Sequence, residues 1–161
     1  MDADFESLMK MAGGDDWQWA AAIAEHESGT SPYATVAAGA HGEPAFGIWQ
    51  MHDSFIMDML KDRFTRAEAL YAARGNPFVQ ADAFKAFWNR YANETVENRL
   101  LIYHYGHNGW ASNMEKAKTA LSANIKADVT ALADPDGYAA DVQAKYDELT
   151  KAAPKSSAKK S

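Results

Sequence analysis

The sequence predicts a mainly α-helical domain with a small β-hairpin and a disordered C-terminal tail. Three observations carry that prediction. Apolar residues recur at spacings of three and four through most of the chain, the period of a helix with one buried face. Residues 33–49 break the period; rich in Ala and Gly, with Gly39, Gly42 and Gly47, they suit a loop or a short irregular hairpin within residues 33–50. Residues 151–161 are small and polar, carry four lysines and no acid, and read as a flexible tail behind a domain of residues 1–150.

The elements follow in order. Asp15 and Asp16 cap a helix running to about Glu27, with Trp17, Ala20, Ala21, Ile23 and Ala24 on its apolar side. The small residues from Gly29 to Pro32 end it. Short helices are expected over residues 54–62 and 66–74, the second stopped by Gly75-Asn76-Pro77. Residues 80–92 form an aromatic helix whose stripe of Phe84, Phe87, Trp88 and Tyr91 reads as core. The next helix starts near Glu94, carries Val96, Leu100, Leu101 and Tyr103, and ends at Gly106, before an Asn108-Gly109 turn signal. Residues 113–124 and 137–152 are helical, separated by Asp134-Pro135-Asp136-Gly137.

Composition excludes several functions. The chain has 161 residues, 47% of them hydrophobic, enough for one domain with its own core. Sixteen basic residues against twenty-two acidic ones leave a net charge of -6, which disfavours nucleic acid as a partner. There is no cysteine, so disulfides, thiolate zinc sites and cysteine nucleophiles are out. No run approaches the roughly 20 apolar residues of a transmembrane segment. The acidic start, Met1-Asp2-Ala3-Asp4-Phe5-Glu6, lacks the basic and apolar regions of a signal peptide. A soluble protein is expected, delivered by other means if it works outside a cytoplasm. The lysine-rich tail reads as a solubilising terminus or as a weak tether to an anionic surface.

The informative stretch runs from His26 to Met51: a Glu27-Ser28 pair at a helix end, then a glycine-rich connection closing on Gly47-Ile48-Trp49-Gln50-Met51. A second, Tyr103-His104-Tyr105-Gly106, lies downstream. Together they resemble the lysozyme-like domain of soluble lytic transglycosylases, with goose-type lysozymes as relatives, over roughly residues 16–112. Glu27-Ser28 matches the family's Glu-Ser. Residues 47–51 match its Gly-Leu-Met-Gln-Ile, and residues 103–106 its Tyr-Asn-Ala-Gly. Trp49 stands for the usual methionine, and His104 and Tyr105 for Asn and Ala. Goose-type enzymes place an aspartate two residues after the motif glutamine; here that position is His52, and Asp53 follows it.

Splitting a glycosidic bond requires a proton on the departing oxygen, which a carboxylic acid kept protonated near neutral pH can supply. Burial and the negative end of a helix dipole both disfavour the carboxylate. Glu27, at a helix end, is therefore the expected general acid and then general base. The resemblance implies cleavage of the β-1,4 bond between N-acetylmuramic acid and N-acetylglucosamine in peptidoglycan. One glutamate then suffices, the muramic C6 hydroxyl attacks the anomeric carbon, and the product is a 1,6-anhydro sugar. A hydrolytic muramidase would need a second carboxylate, for which Glu43 and Asp53 are the candidates. A virion or secretion-apparatus protein that binds glycan without cutting it is the rival from another class.

Gln50 and Tyr103 are the expected sugar-positioning groups. Ser28, Gly47, Trp49 and Tyr105 complete the substrate-binding set: Gly47 for close backbone approach, Trp49 and Tyr105 for aromatic faces, with core packing left open for Trp49. Five histidines, 26, 41, 52, 104 and 107, fall in or beside the motifs. No His-Glu-x-x-His pattern accompanies them, so no metal or other cofactor is expected. The expected partner is the peptidoglycan strand, in the bacterial wall or periplasm. The missing leader and the short chain point to a phage particle or a secretion apparatus as carrier.

Overall fold

A computed structural model describes residues 2–32, 34–36, 43–61, 63–64 and 74–152. The expected helix over 66–74, all but its last residue, and the expected tail beyond residue 152 lie outside these. The described chain is mainly helical, with one two-stranded antiparallel hairpin. It divides into two compact units: Met1–Phe87 with the chain from Ala144 onward, and Trp88–Gln143.

The first unit opens with helix α1 (Ala3–Gly13), whose Phe5, Leu8, Met9 and Ala12 share one face. Asp2 caps it, its carboxylate accepting the Asp4 N–H. A 3-10 turn, Gly14–Asp16, leads into helix α2 (Trp17–Ser28). Five consecutive residues of α2, Ala20 to Ala24, are buried, so the helix is enclosed on more than one face. Small side chains permit this: an added Cβ on Gly13 would lie 3.2 Å from the Ala20 Cβ. Gly29 closes α2 in the left-handed conformation (φ 60°), and its N–H reaches the carbonyls of Ala24 and Glu25.

Strands β1 (Thr35–Val36) and β2 (Ala45–Phe46) pair antiparallel, Thr35 opposite Phe46 and Val36 opposite Ala45. The hairpin expected within residues 33–50 is present. Helix α3 (Asp53–Leu60) follows, then α4 (Pro77–Arg90). Proline suits the first turn of α4, where its missing N–H costs no bond, and Asn76 caps the Phe78 N–H at 3.0 Å. Met9, Ile23, Trp49, Met51, Ile56, Phe84 and Phe87 are the large buried side chains of this unit. Trp49 stacks on Phe84 with centroids 5.4 Å apart. The carboxyl-terminal part of the last helix returns here: Tyr146 stacks on Trp19 at 3.8 Å, and Lys145 pairs with Glu25 at 3.3 Å.

In the second unit, helix α5 spans Val96–Ser122, capped by Thr95 on the Asn98 N–H. Gly106 interrupts it (φ 70°, ψ 164°). The break expected at Gly106 is therefore one residue long. The turn expected at Asn108-Gly109 does not form, because helix resumes through both residues. Gly109 serves packing instead: a Cβ there would lie 3.2 Å from the Tyr105 Cβ. A short helix, α6 (Val129–Ala133), is capped twice by Asp128 and had no apolar period to announce it. Helix α7 (Tyr138–Ala152) starts on Asp134, whose carboxylate accepts the N–H groups of Tyr138 and Ala139. No helix among the described residues is long and apolar enough to cross a membrane.

Candidate active site

Residues 47–50 form a tight turn. Phe46 and Met51 flank it and exchange both backbone hydrogen bonds, at 3.0 and 2.9 Å. Two residues take left-handed backbone, Gly47 (φ 75°) and Gln50 (φ 49°), and the Gln50 N–H closes the turn on the Gly47 carbonyl. Gly47 also donates to the Ala34 carbonyl at 2.8 Å, tying the turn to the hairpin.

Two bonds fasten this turn to α2. The Ser28 hydroxyl donates to the Ile48 carbonyl at 2.7 Å, and the Trp49 indole N–H donates to the Ala20 carbonyl at 2.9 Å. Ser28 directly follows Glu27, so the motif turn is anchored next to that carboxylate. Glu27 lies three and four residues after Ala24 and Ile23, both fully buried, on the same side of α2. It is itself half-buried. The chain leaves α2 through two successive left-handed residues, Gly29 and Thr30 (φ 72°). For a β-branched threonine this conformation is strained, by about 1–2 kcal/mol.

Several expected substrate contacts are used up inside the protein. Trp49 is 0% exposed, so no face is left for a sugar ring: of the two roles left open, it takes the core one. Ser28 gives its proton to Ile48 and holds the backbone. Gly47 does not clear room for a ligand, since a Cβ there would meet the Gln80 amide nitrogen at 2.0 Å. Gln50 donates to the Ala34 and Gly47 carbonyls (3.2 and 2.9 Å), while its buried side-chain oxygen has no partner among the described residues.

The candidate second carboxylates both have partners within the protein. Arg74 grips Asp53 with two N–H groups, one at 2.6 Å, and lays its guanidinium 4.6 Å from the Phe46 ring centroid. Such a forked pair fixes both carboxylate oxygens in place. Glu43 is exposed and accepts the Ser54 hydroxyl at 2.5 Å. His52 binds the Pro44 carbonyl at 3.1 Å.

Tyr103 and Tyr105 lie on α5 in the second unit, just before the Gly106 break. Tyr103 is half-buried. The Tyr105 hydroxyl donates to Asp134 at 2.7 Å and accepts the Asp136 N–H at 2.8 Å. The hydroxyl is thereby a strut between α5 and the start of α7. His104 stacks on Tyr138 (4.3 Å) and pairs with Asp136 at 2.8 Å; His107 lies 6.1 Å from the Tyr91 ring. No three metal-ligating side chains converge among the described residues.

Burial first, then the hydrogen bond to Asp134 and its negative charge, push the Tyr105 phenol well above its ordinary range. The folded protein therefore keeps this proton where the unfolded chain has lost it. The resulting stabilisation is complete below about pH 10, the ordinary tyrosine value, and is lost as pH rises beyond it. Tyr105→Phe should cost about 0.5–1.5 kcal/mol at neutral pH, by removing the hydroxyl bonds to Asp134 and Asp136. Urea unfolding of both proteins from pH 8 to 11 checks this: the gap should narrow above about pH 10. A constant gap would mean that the phenol titrates alike folded and unfolded.

A family model, the transglycosylase SLT domain, matches residues 9–126. The chain belongs to the transglycosylase SLT family. The match spans most of the chain, including the turn 47–50 and both tyrosines, and identifies a glycan-cleaving, lysozyme-like domain. No curated relative and no solved structure matches the chain.

Sequence reasoning missed Gln80 and Arg74, the partners behind the turn. The signal for Gln80 was present: it stands four residues before Phe84 on the same helix face, a polar residue in an apolar stripe. Arg74 had no such signal, because its partners are 21 and 28 residues away in sequence.

Proposed function

We propose that this SLT domain is a peptidoglycan lytic transglycosylase in which Glu27 is the single general acid and base. The Ser28–Ile48 hydrogen bond carries the reading, because it fixes the residue beside Glu27 to the motif turn. The end of α2 supplies partial negative charge that favours the protonated acid before reaction. Glu27 then gives its proton to the glycosidic oxygen between N-acetylmuramic acid and N-acetylglucosamine. As that bond breaks, the C6 hydroxyl of the muramic residue attacks its own C1, and Glu27 takes the hydroxyl proton. The acid is regenerated, no water is consumed, and a 1,6-anhydro sugar leaves.

The forked Arg74–Asp53 pair favours this over hydrolysis, since a hydrolase needs a second carboxylate free to act on water or on the sugar. Gln50 is assigned a sugar contact by the motif, its side-chain oxygen being buried in the described structure. Tyr103 is assigned one by the motif alone. A wall or periplasmic site of action, with delivery by a phage particle or a secretion apparatus, belongs to the same proposal. Mass spectrometry of fragments released from purified peptidoglycan tests it. Anhydromuramoyl ends are expected. Reducing ends would make the protein a muramidase, and binding without release would make it a glycan-binding structural protein.

A further inference from the structure

Among the described residues, Gln80 alone is polar and buried, at 1% exposure. Burying an amide costs free energy unless its groups are bonded, and a leucine or methionine would fill the same space without that cost. What Gln80 gains is specific. Its side-chain nitrogen donates both hydrogens, to the Phe46 carbonyl at 3.0 Å and to the Arg74 carbonyl at 3.1 Å. The same nitrogen fills the space left by the missing Gly47 side chain. Gln80 therefore sits against the base of the turn 47–50, joining it to Arg74 and through Arg74 to Asp53 at the start of α3. Ser28 and Trp49 hold the turn to α2, and Gln80 holds it to α4.

We propose that Gln80 is a positioning residue for the reaction, acting through the turn that carries Gln50 and anchors Ser28 beside Glu27. This rests on the transglycosylase reading above. Small displacements of reacting groups can cost about 100-fold in rate, so a turn freed from Gln80 should slow turnover before it weakens binding.

Gln80→Met keeps the volume and removes both donors. On purified peptidoglycan its kcat should fall about 10-fold or more with KM within about twofold of wild type. Its effect should also be non-additive with that of Gln50→Ala, because both act through one turn. Amide hydrogen exchange gives a readout independent of activity. The Gln50 N–H should exchange about 10-fold faster or more, while Ile23 and Ala24 keep their wild-type rates. Unchanged kcat, strict additivity with Gln50→Ala, or equal acceleration at every amide overturns the proposal.

If Gln80→Met does not fold, Gln80→Glu keeps the shape and, when protonated, one donor. Its kcat relative to wild type should rise as pH falls, and a flat ratio is the overturning result. Wild-type protein that releases no product defeats the transglycosylase reading and with it the catalytic role of Gln80. The exchange rates still decide whether Gln80 holds the turn.

Discussion

Glu27→Gln should abolish release of peptidoglycan fragments while leaving the protein folded. Glutamine has the size of glutamate but can neither give the glycosidic oxygen a proton nor take one from the muramic C6 hydroxyl. General acid–base catalysis contributes about 100- to 10,000-fold, and in the proposed mechanism one residue performs both transfers, so a loss near the upper end is expected. Glu27→Asp separates position from chemistry. It keeps the acid but withdraws it by one methylene, and about 100-fold of the loss should follow from misplacement alone. The measurement is initial release of soluble muropeptides, with circular dichroism to confirm the helices. Product formation by Glu27→Gln at the wild-type rate would place the acid elsewhere.

Gly47→Ala should be the most damaging single methyl group in the first unit. The backbone there has φ 75°, which costs a residue with a Cβ about 1–2 kcal/mol. The added carbon would also lie 2.0 Å from the Gln80 amide nitrogen, and that amide cannot move without giving up both carbonyls it holds. Together these set an expected loss of about 3–5 kcal/mol in urea unfolding. Gly29 is the control, with a left-handed backbone (φ 60°, ψ 29°) and nothing within 4 Å of an added Cβ. Gly29→Ala should therefore cost only the backbone part, about 1–2 kcal/mol. Gly47→Ala should shrink to the same value in a Gln80→Ala background. Equal losses at the two glycines in the wild-type background would show that the Gln80 contact carries no strain.

The sequence by itself determined the local features. The α2 helix and its end at Gly29, the aromatic stripe of α4, the cap at Thr95, the interruption at Gly106 and the hairpin are each written in a few neighbouring residues, because caps, glycines and apolar periods act within a turn or two. The three motifs that placed the chain among the lytic transglycosylases are equally local, and the family match covers them. Helix α6 escaped because it is five residues long and set by its cap, Asp128; α1 is different, since Phe5, Leu8, Met9 and Ala12 do give it an apolar period.

Only the tertiary structure decided which motif residues face inward. Gly47 and Ser28 read as substrate contacts, and Trp49 as either a substrate contact or core, because a motif carries residue types but not directions. Burial against Phe84, the Gln80 amide and the Ile48 carbonyl turned all three into supports. Tyr105 became a strut for the same reason, through Asp134 and Asp136 some thirty residues away. Asp53 is gripped by an arginine 21 residues along the chain. A hydrogen bond or ion pair across such separations depends on where packing brings the backbone, and periodicity along the chain does not encode that.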